Sequence, residues 1–362
     1  TFRDLLLRKQ NLDMDLIIEC EGIPFARQLA QEIPGARVRS HEKFGTAVIL
    51  FPDGFKVDVA TARHEYYARP GALPTVEISS MKRDMYRRDF TMNTLAIALN
   101  PQVLGKLIDF FGGARDIKEG IIRVLHNLAF VEAPTRILRA VRFSTRFGFA
   151  IGKHTLTLMK AAIKMKMFDK VEGKRLLNEL IHMLDEKSPV PPLNMMGELG
   201  ILRALHPALT FTPKTKELVE GIAGVLSWWK YLFMKDSLAP WLVYFLALTD
   251  PAGEPEFEEA LSRFSVPHPK VQRYSAERTD IRRVLNLFAR GMLARPSELS
   301  STLRRFSMES LLFMMAKTSR EQTRMAISEY ITALRFVTPA LSGKDLASMG
   351  YEPGPVFGSI LA

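Results

Sequence analysis

The sequence predicts an α/β head (a mixed small β-sheet with helices) followed by an all-α neck and body. Three observations predict it. Short apolar runs with strand alternation crowd the N-terminal part, and Pro52-Asp53-Gly54 places a turn between two of them. After Asp109-Phe110-Phe111-Gly112-Gly113 the strand signal nearly vanishes, and from residue 117 onward helical periodicity dominates. The length, 362 residues, suffices for two or three domains with cores of their own. The expected divisions are a head over 1–99, a neck over 100–185 and a body over 186–362.

Taken in order, Leu12–Cys20 reads as a strand and Gly22–Ile33 has helical spacing. Thr46–Phe51 and Phe55–Thr61 read as two more strands. Residues 64–86, with Tyr66, Tyr67, Pro70 and Pro74 and little periodicity, read as a loop, and Arg88–Leu99 as a helix. Prolines at 189–192, 251–255 and 267–269 punctuate the helical remainder. The most apolar stretch, 222–248, is broken by Lys230, Lys235, Asp236 and Pro240, so it reads as two buried helices and not as a membrane span. There is no internal repeat and no low-complexity tract.

Lysine and arginine outnumber aspartate and glutamate by 50 to 39, a formal charge of +11. A polyanionic partner fits that balance, nucleic acid first and an anionic membrane surface second. The single cysteine, Cys20, excludes an internal disulfide and a cysteine-based zinc cluster, and it suits a reducing cytoplasm. At the end of an apolar run it reads as a core thiol. No signal peptide is visible, and the chain opens on Thr1 in mid-motif, as a piece of a longer protein would.

The chemistry starts at Asp13 and Asp15. In a strand side chains alternate, so the two carboxylates share a face. They repel unless a cation neutralises them, and Mg2+ prefers such hard oxygen ligands and bridges them to nucleotide phosphates. Two ions roughly 3.5–4 Å apart can hold both the attacking and the leaving oxygen. Alone, Asp-x-Asp is also what a polar strand end looks like. Asp58 stands on a neighbouring strand between Val57 and Val59, which must face the other way, so it can supply a third carboxylate. On the expected helix of Arg87–Ala96, Asp89 and Asn93 lie one turn apart, the first able to orient an arginine, the second to meet a sugar hydroxyl. In Glu132–Phe143, Arg139, Arg142 and Arg146 fall within about 60° of one another with Arg136 on the shoulder. Ile137, Leu138 and Val141 back them. Such a face offers planar, bidentate donors to a base edge or to phosphates, although a Glu132–Arg136 ion pair would also account for part of it.

Together these segments resemble the class II tRNA nucleotidyltransferase and bacterial poly(A) polymerase family. Thr1–Leu7 is similar to the tail of its Gly-Gly-x-x-Arg-Asp nucleotide-binding turn. Asp13 and Asp15 resemble its metal pair and Asp58 its third carboxylate. Arg87–Ala96 resembles its ribose motif and Asp109–Asp116 its head-to-neck hinge. Glu132–Phe143 resembles its Glu-Asp-x-x-Arg base-selecting helix. Ser342–Leu346 with Pro353-Gly354-Pro355 resembles the C-terminal signature of its long bacterial members.

The resemblance implies a nucleotidyltransferase head that needs Mg2+ on Asp13 and Asp15. The 3′ hydroxyl of tRNA attacks the α-phosphate of CTP or ATP, pyrophosphate leaves, and the protein selects the base. Arg3 would touch the triphosphate, Asp89 and Asn93 the ribose region, and Arg136 the incoming base, with Asp4, Arg88, Glu132 and Arg139 also binding the nucleotide. Two departures stand out. The Gly-Gly step is absent, and Ala133 occupies the position where the family pairs an aspartate with the arginine three residues on. Arg136 then reads the base with one partner missing, which predicts blurred C-versus-A choice, slower addition or a changed substrate.

Lys160, Lys164, Lys166, Lys170 and Lys174 form one basic stretch and Arg278, Arg282, Arg283, Arg290 and Arg295 another, suited to the acceptor-arm backbone. Within the class, CC-only, A-only and poly(A) addition remain open. Outside it, a catalytically damaged RNA-binding module remains. The chain carries no Walker-A loop, Gly-x-Gly-x-x-Gly fingerprint, Gly-x-Ser-x-Gly elbow or His-Asp pair.

Overall fold

A computed structural model describes residues 2–9, 14–42, 45–66, 75–292, 295–337 and 341–352, with single positions 354, 357 and 360. Asp13, Pro353 and Pro355 lie outside the described residues. The chain forms two compact units, Thr1–Glu179 and Leu180–Ala362.

The first unit opens with α1 (Phe2–Leu6) and β1 (Met14–Ile18), then α2 (Gly22–Gln31), β2 (Arg37–His41), β3 (Thr46–Leu50) and β4 (Lys56–Thr61). The sheet order is β1-β4-β3-β2, with β1 parallel to β4 and the other pairs antiparallel. Alternation decides the faces. Ala47, Ile49, Val57 and Val59 are buried with Ile23 and Ala26 of α2, whereas Lys56 and Asp58 are exposed. Helix α2 starts hard against β4. The Gly22 amide donates to Thr61 Oγ1 at 2.9 Å, and a Cβ at Gly22 would stand 3.0 Å from the Thr61 backbone nitrogen.

Among the described residues the expected loop over 64–86 is replaced by structure, while Tyr67, Pro70 and Pro74 lie outside the described residues. β5 (Arg63–Tyr66) and β6 (Thr75–Ile78) form an antiparallel hairpin, and α3 (Met81–Tyr86) follows. Glu19 accepts from the Met81 amide at 2.7 Å and so holds the start of α3. The strands are four residues each, too short for a periodicity window.

The expected helix over Arg88–Leu99 is also corrected. Phe90 is extended and bridges Val124, and only Thr91–Asn93 make a 3-10 turn before β7 (Ala96–Ile97), which pairs with β8 (Leu107–Ile108). Tertiary contacts override the helical pattern. The Thr91 amide donates to the Arg123 carbonyl at 2.9 Å, and Thr91 Oγ1 donates to the fully buried Asp116 at 2.6 Å. Helix α4 (Gly113–Glu119) packs on this turn so closely that a Cβ at Gly113 would meet the Thr91 carbonyl at 2.3 Å. Asp109 fixes the entry, accepting from the Gly113 and Ala114 amides at 2.8 and 3.0 Å.

Short strands β9 (Ile121–Ile122) and β10 (Ala150–Ile151) pair in parallel around α5 (Ala129–Glu132) and α6 (Arg136–Phe147). Then come α7 (Lys153–Lys164) and α8 (Gly173–Leu184). The second unit is helical among its described residues. Pro213–Tyr231 and Pro240–Leu248 are the two helices expected over 222–248, and Ile222, Leu226, Phe245 and Leu246 on them are buried. No helix among the described residues is long and apolar enough to cross a membrane. The Ser342-to-Leu346 motif is a helix start, in which Ser342 Oγ accepts from the Asp345 amide and donates to the Asp345 carboxylate.

Candidate active site

A cleft of about 1550 Å³ lies in the first unit. Its strand side includes Asp15 and its helix side the arginines of α6. Asp15 sits directly opposite Asp58 in the parallel register, and both are exposed on the sheet face away from α2. Two hard, anionic oxygen donors side by side on an open face fit a divalent cation. Among the described residues no three His, Cys, Asp or Glu side chains converge as a metal site. Asp13, two residues before Asp15, is outside the described set.

The 3-10 turn gives Asp89 and Asn93 a direct contact: Asn93 Nδ2 donates to Asp89 Oδ1 at 2.7 Å. Asn93 Oδ1 accepts from Arg3 Nη1 at 2.6 Å, and Arg3 also donates to the buried Asp4. The Arg3 guanidinium lies over the rings of Phe143 and Phe147, 5.4 and 5.0 Å from their centroids. On the other side, Arg139 Nε and Nη2 donate to Asp89 Oδ2 at 2.9 and 2.6 Å. Glu179 of α8 then stands 3.6 Å from Arg139 and accepts from Arg142 at 3.4 Å. The chain of contacts Arg3–Asn93–Asp89–Arg139–Glu179–Arg142 alternates donors and acceptors across the cleft wall.

This arrangement sets the charges. Burial pushes the Asp89 carboxyl up. The Arg139 charge and hydrogen bonds from Asn93, Arg139 and the Phe90 amide outweigh it and hold Asp89 below the usual range. Burial disfavours the Arg139 charge, and Asp89 and Glu179 more than restore it. Asp89 is therefore a permanent anion at neutral pH.

Arg136 is only 6% exposed, and the backbone holds it: its Nη1 donates to the Ala129 carbonyl at 3.2 Å and its Nη2 to the Arg87 carbonyl. Ala133 lines the cleft beside it. Glu132 stands 3.5 Å from His126 and is not part of the cleft lining, nor are Asp4 and Asp58. Burial, the largest influence, and Arg136 push the His126 pKa down against the pull of Glu132. Arg88 lines the cleft, donating to the Asn93 carbonyl at 3.0 Å and to Asp84 at 3.3 Å. Pro134 stands just before α6, not within its first turn.

Several side chains enter the site without a sequence signal. Asp84 and Glu65 both pair with Arg87 at 2.7 Å, which steadies the segment whose carbonyl holds Arg136. Glu179 is a polar position on an ordinary amphipathic helix, and nothing in its spacing marks it. Two other expectations are corrected. Cys20 is exposed, because the strand stops at Ile18 before reaching it. Arg278 is buried and spent on Glu254 and on the carbonyls of Thr249 and Ala252, so it serves the second unit's packing. Lys160, Lys164, Lys166, Lys170 and Lys174 are exposed and belong to the first unit.

Residues 1–123 match the family described as "Poly A polymerase head domain", and residues 148–212 match "Probable RNA and SrmB- binding site of polymerase A". The chain is 32% identical over 368 residues to the A-adding tRNA nucleotidyltransferase of Halalkalibacterium halodurans, covering 99% of this chain and 80% of that protein. It belongs to the tRNA nucleotidyltransferase and poly(A) polymerase family. Within that family, an A-adding tRNA nucleotidyltransferase of Geobacter sulfurreducens is 46% identical over 363 residues. Here the chain is covered to 99% and spans 41% of the relative's length. A solved CCA-adding enzyme, apo form II, superposes with a TM-score of 0.86 at 32% identity, covering 99% of this chain and 84% of that one.

Proposed function

We propose that this chain transfers AMP, and in the broader reading C and A residues, from ATP or CTP to the 3′ end of tRNA without a nucleic-acid template. The observation that carries this is the in-register pair Asp15 and Asp58 beside a cleft whose opposite wall is the arginine face of α6. An anionic substrate has no reason to approach paired carboxylates unless a cation lies between them. Terminal A addition is the favoured form, because both tRNA nucleotidyltransferase relatives described above are named A-adding.

Asp15, with Asp13, would hold Mg2+, which when bound neutralises phosphate charge and favours the alkoxide form of the primer's 3′ hydroxyl. Asp58 adds negative charge next to Asp15 and strengthens that position. The 3′ hydroxyl loses its proton to solvent, its oxygen attacks the α-phosphorus, the bond from that phosphorus to the α,β-bridging oxygen breaks, and pyrophosphate leaves with that oxygen. Arg3 would meet the triphosphate and Asn93 the ribose, with Arg88 also in the nucleotide's reach. Arg139 would present N–H donors to the base, and Arg136, tied to backbone carbonyls, would offer it only what those bonds leave. The network pre-orients these groups, and positioning with charge compensation is most of what phosphoryl transfer asks of a protein. The exposed lysines of 160–174 would meet the RNA backbone.

The test offers tRNA ending before CCA, tRNA ending in CC, and a generic RNA, each with ATP or CTP alone. The expected result is one AMP on the CC-ended tRNA, dependent on Mg2+ and absent in Asp13→Ala and Asp15→Ala. A second reading, an RNA-binding module, is favoured by Ala133 and by the backbone-held Arg136. It predicts tRNA binding with no incorporation of any nucleotide.

A further inference from the structure

Glu179 lies outside the segments that pointed to the nucleotide site, within the stretch that matches the family's RNA-binding model, and it lines the cleft. Its two oxygens are divided: Oε1 stands 3.6 Å from Arg139 Nη1 and Oε2 accepts from Arg142 Nη2 at 3.4 Å. Its side chain is 15% exposed, and so is shielded enough for its charge to count. Arg139 is thereby shared between two carboxylates, Asp89 and Glu179. Arg139 and Arg142 also lie over one ring, Phe143, at 5.2 and 5.0 Å, which limits where each guanidinium can go. Without Glu179, two like charges nearly one turn apart on α6 would lose the carboxylate they share.

We propose that Glu179 is a positioning residue for the incoming nucleotide: by holding Arg139 and Arg142 together it fixes the direction in which the arginine face of α6 presents its donors to the base. This rests on the reading of the cleft as a nucleotide site. Because Ala133 offers no hydrogen bond and Arg136 is tied to backbone carbonyls, the aim of Arg139 and Arg142 carries a larger share of the base discrimination in this chain.

The experiment measures kcat and KM of the full chain for ATP and CTP separately, on tRNA ending in CC, in wild type, Glu179→Gln, Glu179→Asp, Arg142→Ala and the Glu179→Gln/Arg142→Ala pair. Thermal midpoints are recorded alongside. Glu179→Gln keeps the shape and removes the charge. It is expected to raise KM for ATP by about tenfold and shrink the ATP-to-CTP preference by a similar factor, the loss of one charge-assisted pair, with KM for tRNA unchanged. Glu179→Asp is expected to restore part of the preference, and the double variant to lose no more than its worse single parent.

Glu179 is only a structural residue, and the proposal falls, if Glu179→Gln lowers kcat in step with its thermal midpoint while the ATP-to-CTP ratio stays fixed, or if the two single losses simply add. If wild type incorporates neither nucleotide, the reading of the cleft fails and the Glu179 assignment fails with it. If wild type incorporates and Glu179→Gln matches it, only the Glu179 assignment fails.

Discussion

The two walls of the cleft are built on opposite plans. On the strand side, Asp15 is an exposed carboxylate of the lining, and Asp58, outside the lining, stands next to it on the sheet. On the helix side, Asp89, Arg136 and much of Arg139 are withdrawn from water and already bonded to one another or to backbone carbonyls. The contrast follows from the sign of what each wall has to meet. Two like charges cannot be buried together at bearable cost, so they stay at the surface where an incoming cation can compensate them. Arginines beside buried carboxylates can be fixed in advance, because each charge has its partner within the protein. One wall is open to charge from outside, and the other is preorganised by contacts among its own side chains.

The sharpest way to break this contrast is at Asp15. Asp15→Ala is expected to lower AMP incorporation by roughly a thousandfold or more, with tRNA binding and the unfolding midpoint little changed, since an exposed strand residue contributes little to packing. A large fall in stability would mean the carboxylate is structural.

Asp89→Asn attacks the preorganised wall. It leaves Arg139 mostly buried with Glu179 alone, and a loss of about 3 kcal/mol in unfolding free energy is expected at pH 7. The pH dependence has a definite sign. The carboxyl of Asp89 is depressed in the folded state, so its stabilisation is complete above the ordinary carboxylate pKa of about 3.9 and lost as pH falls through the folded value. Urea midpoints should therefore fall more steeply in acid for wild type than for Asp89→Asn.

A smaller effect is expected at the base-reading position. Ala133→Asp places an acceptor beside Arg136 and should shift the ATP-to-CTP ratio of kcat/KM by about tenfold, the scale of one gained base-edge contact. Equal selectivity in both proteins would show that this position does not read the base. The smallest effect concerns Cys20. Its exposed thiol should react with a disulfide reagent in the native protein, and Cys20→Ser should change stability by no more than about 0.5 kcal/mol.

Legibility in the sequence differed between the walls for the same physical reason. The strand side is local. Alternation in Lys56–Thr61 puts Val57 and Val59 inside and Asp58 outside, and no distant contact alters that. The helix side is relational. Asp89 and Asn93 do meet, but across a 3-10 turn pinned by Thr91, Asp116 and Gly113, and not on the regular helix that their spacing suggests. The paired strands Arg63–Tyr66 and Thr75–Ile78 escaped because, at four residues each, they lie below the reach of periodicity. Arg136 was legible as an arginine on the right face of α6, while its capture by the carbonyls of Arg87 and Ala129 was not.

The sequence by itself determined the α/β head, the helical remainder, the outward face of each carboxylate strand and the face of α6 that carries arginine, because each follows from periods of two or 3.6 residues within one element. Only the tertiary structure decided which arginine is spent on the backbone, which is shared between two carboxylates, and that Glu179 joins the wall at all. Those are contacts between elements, and their partners are chosen by packing, which no local pattern records.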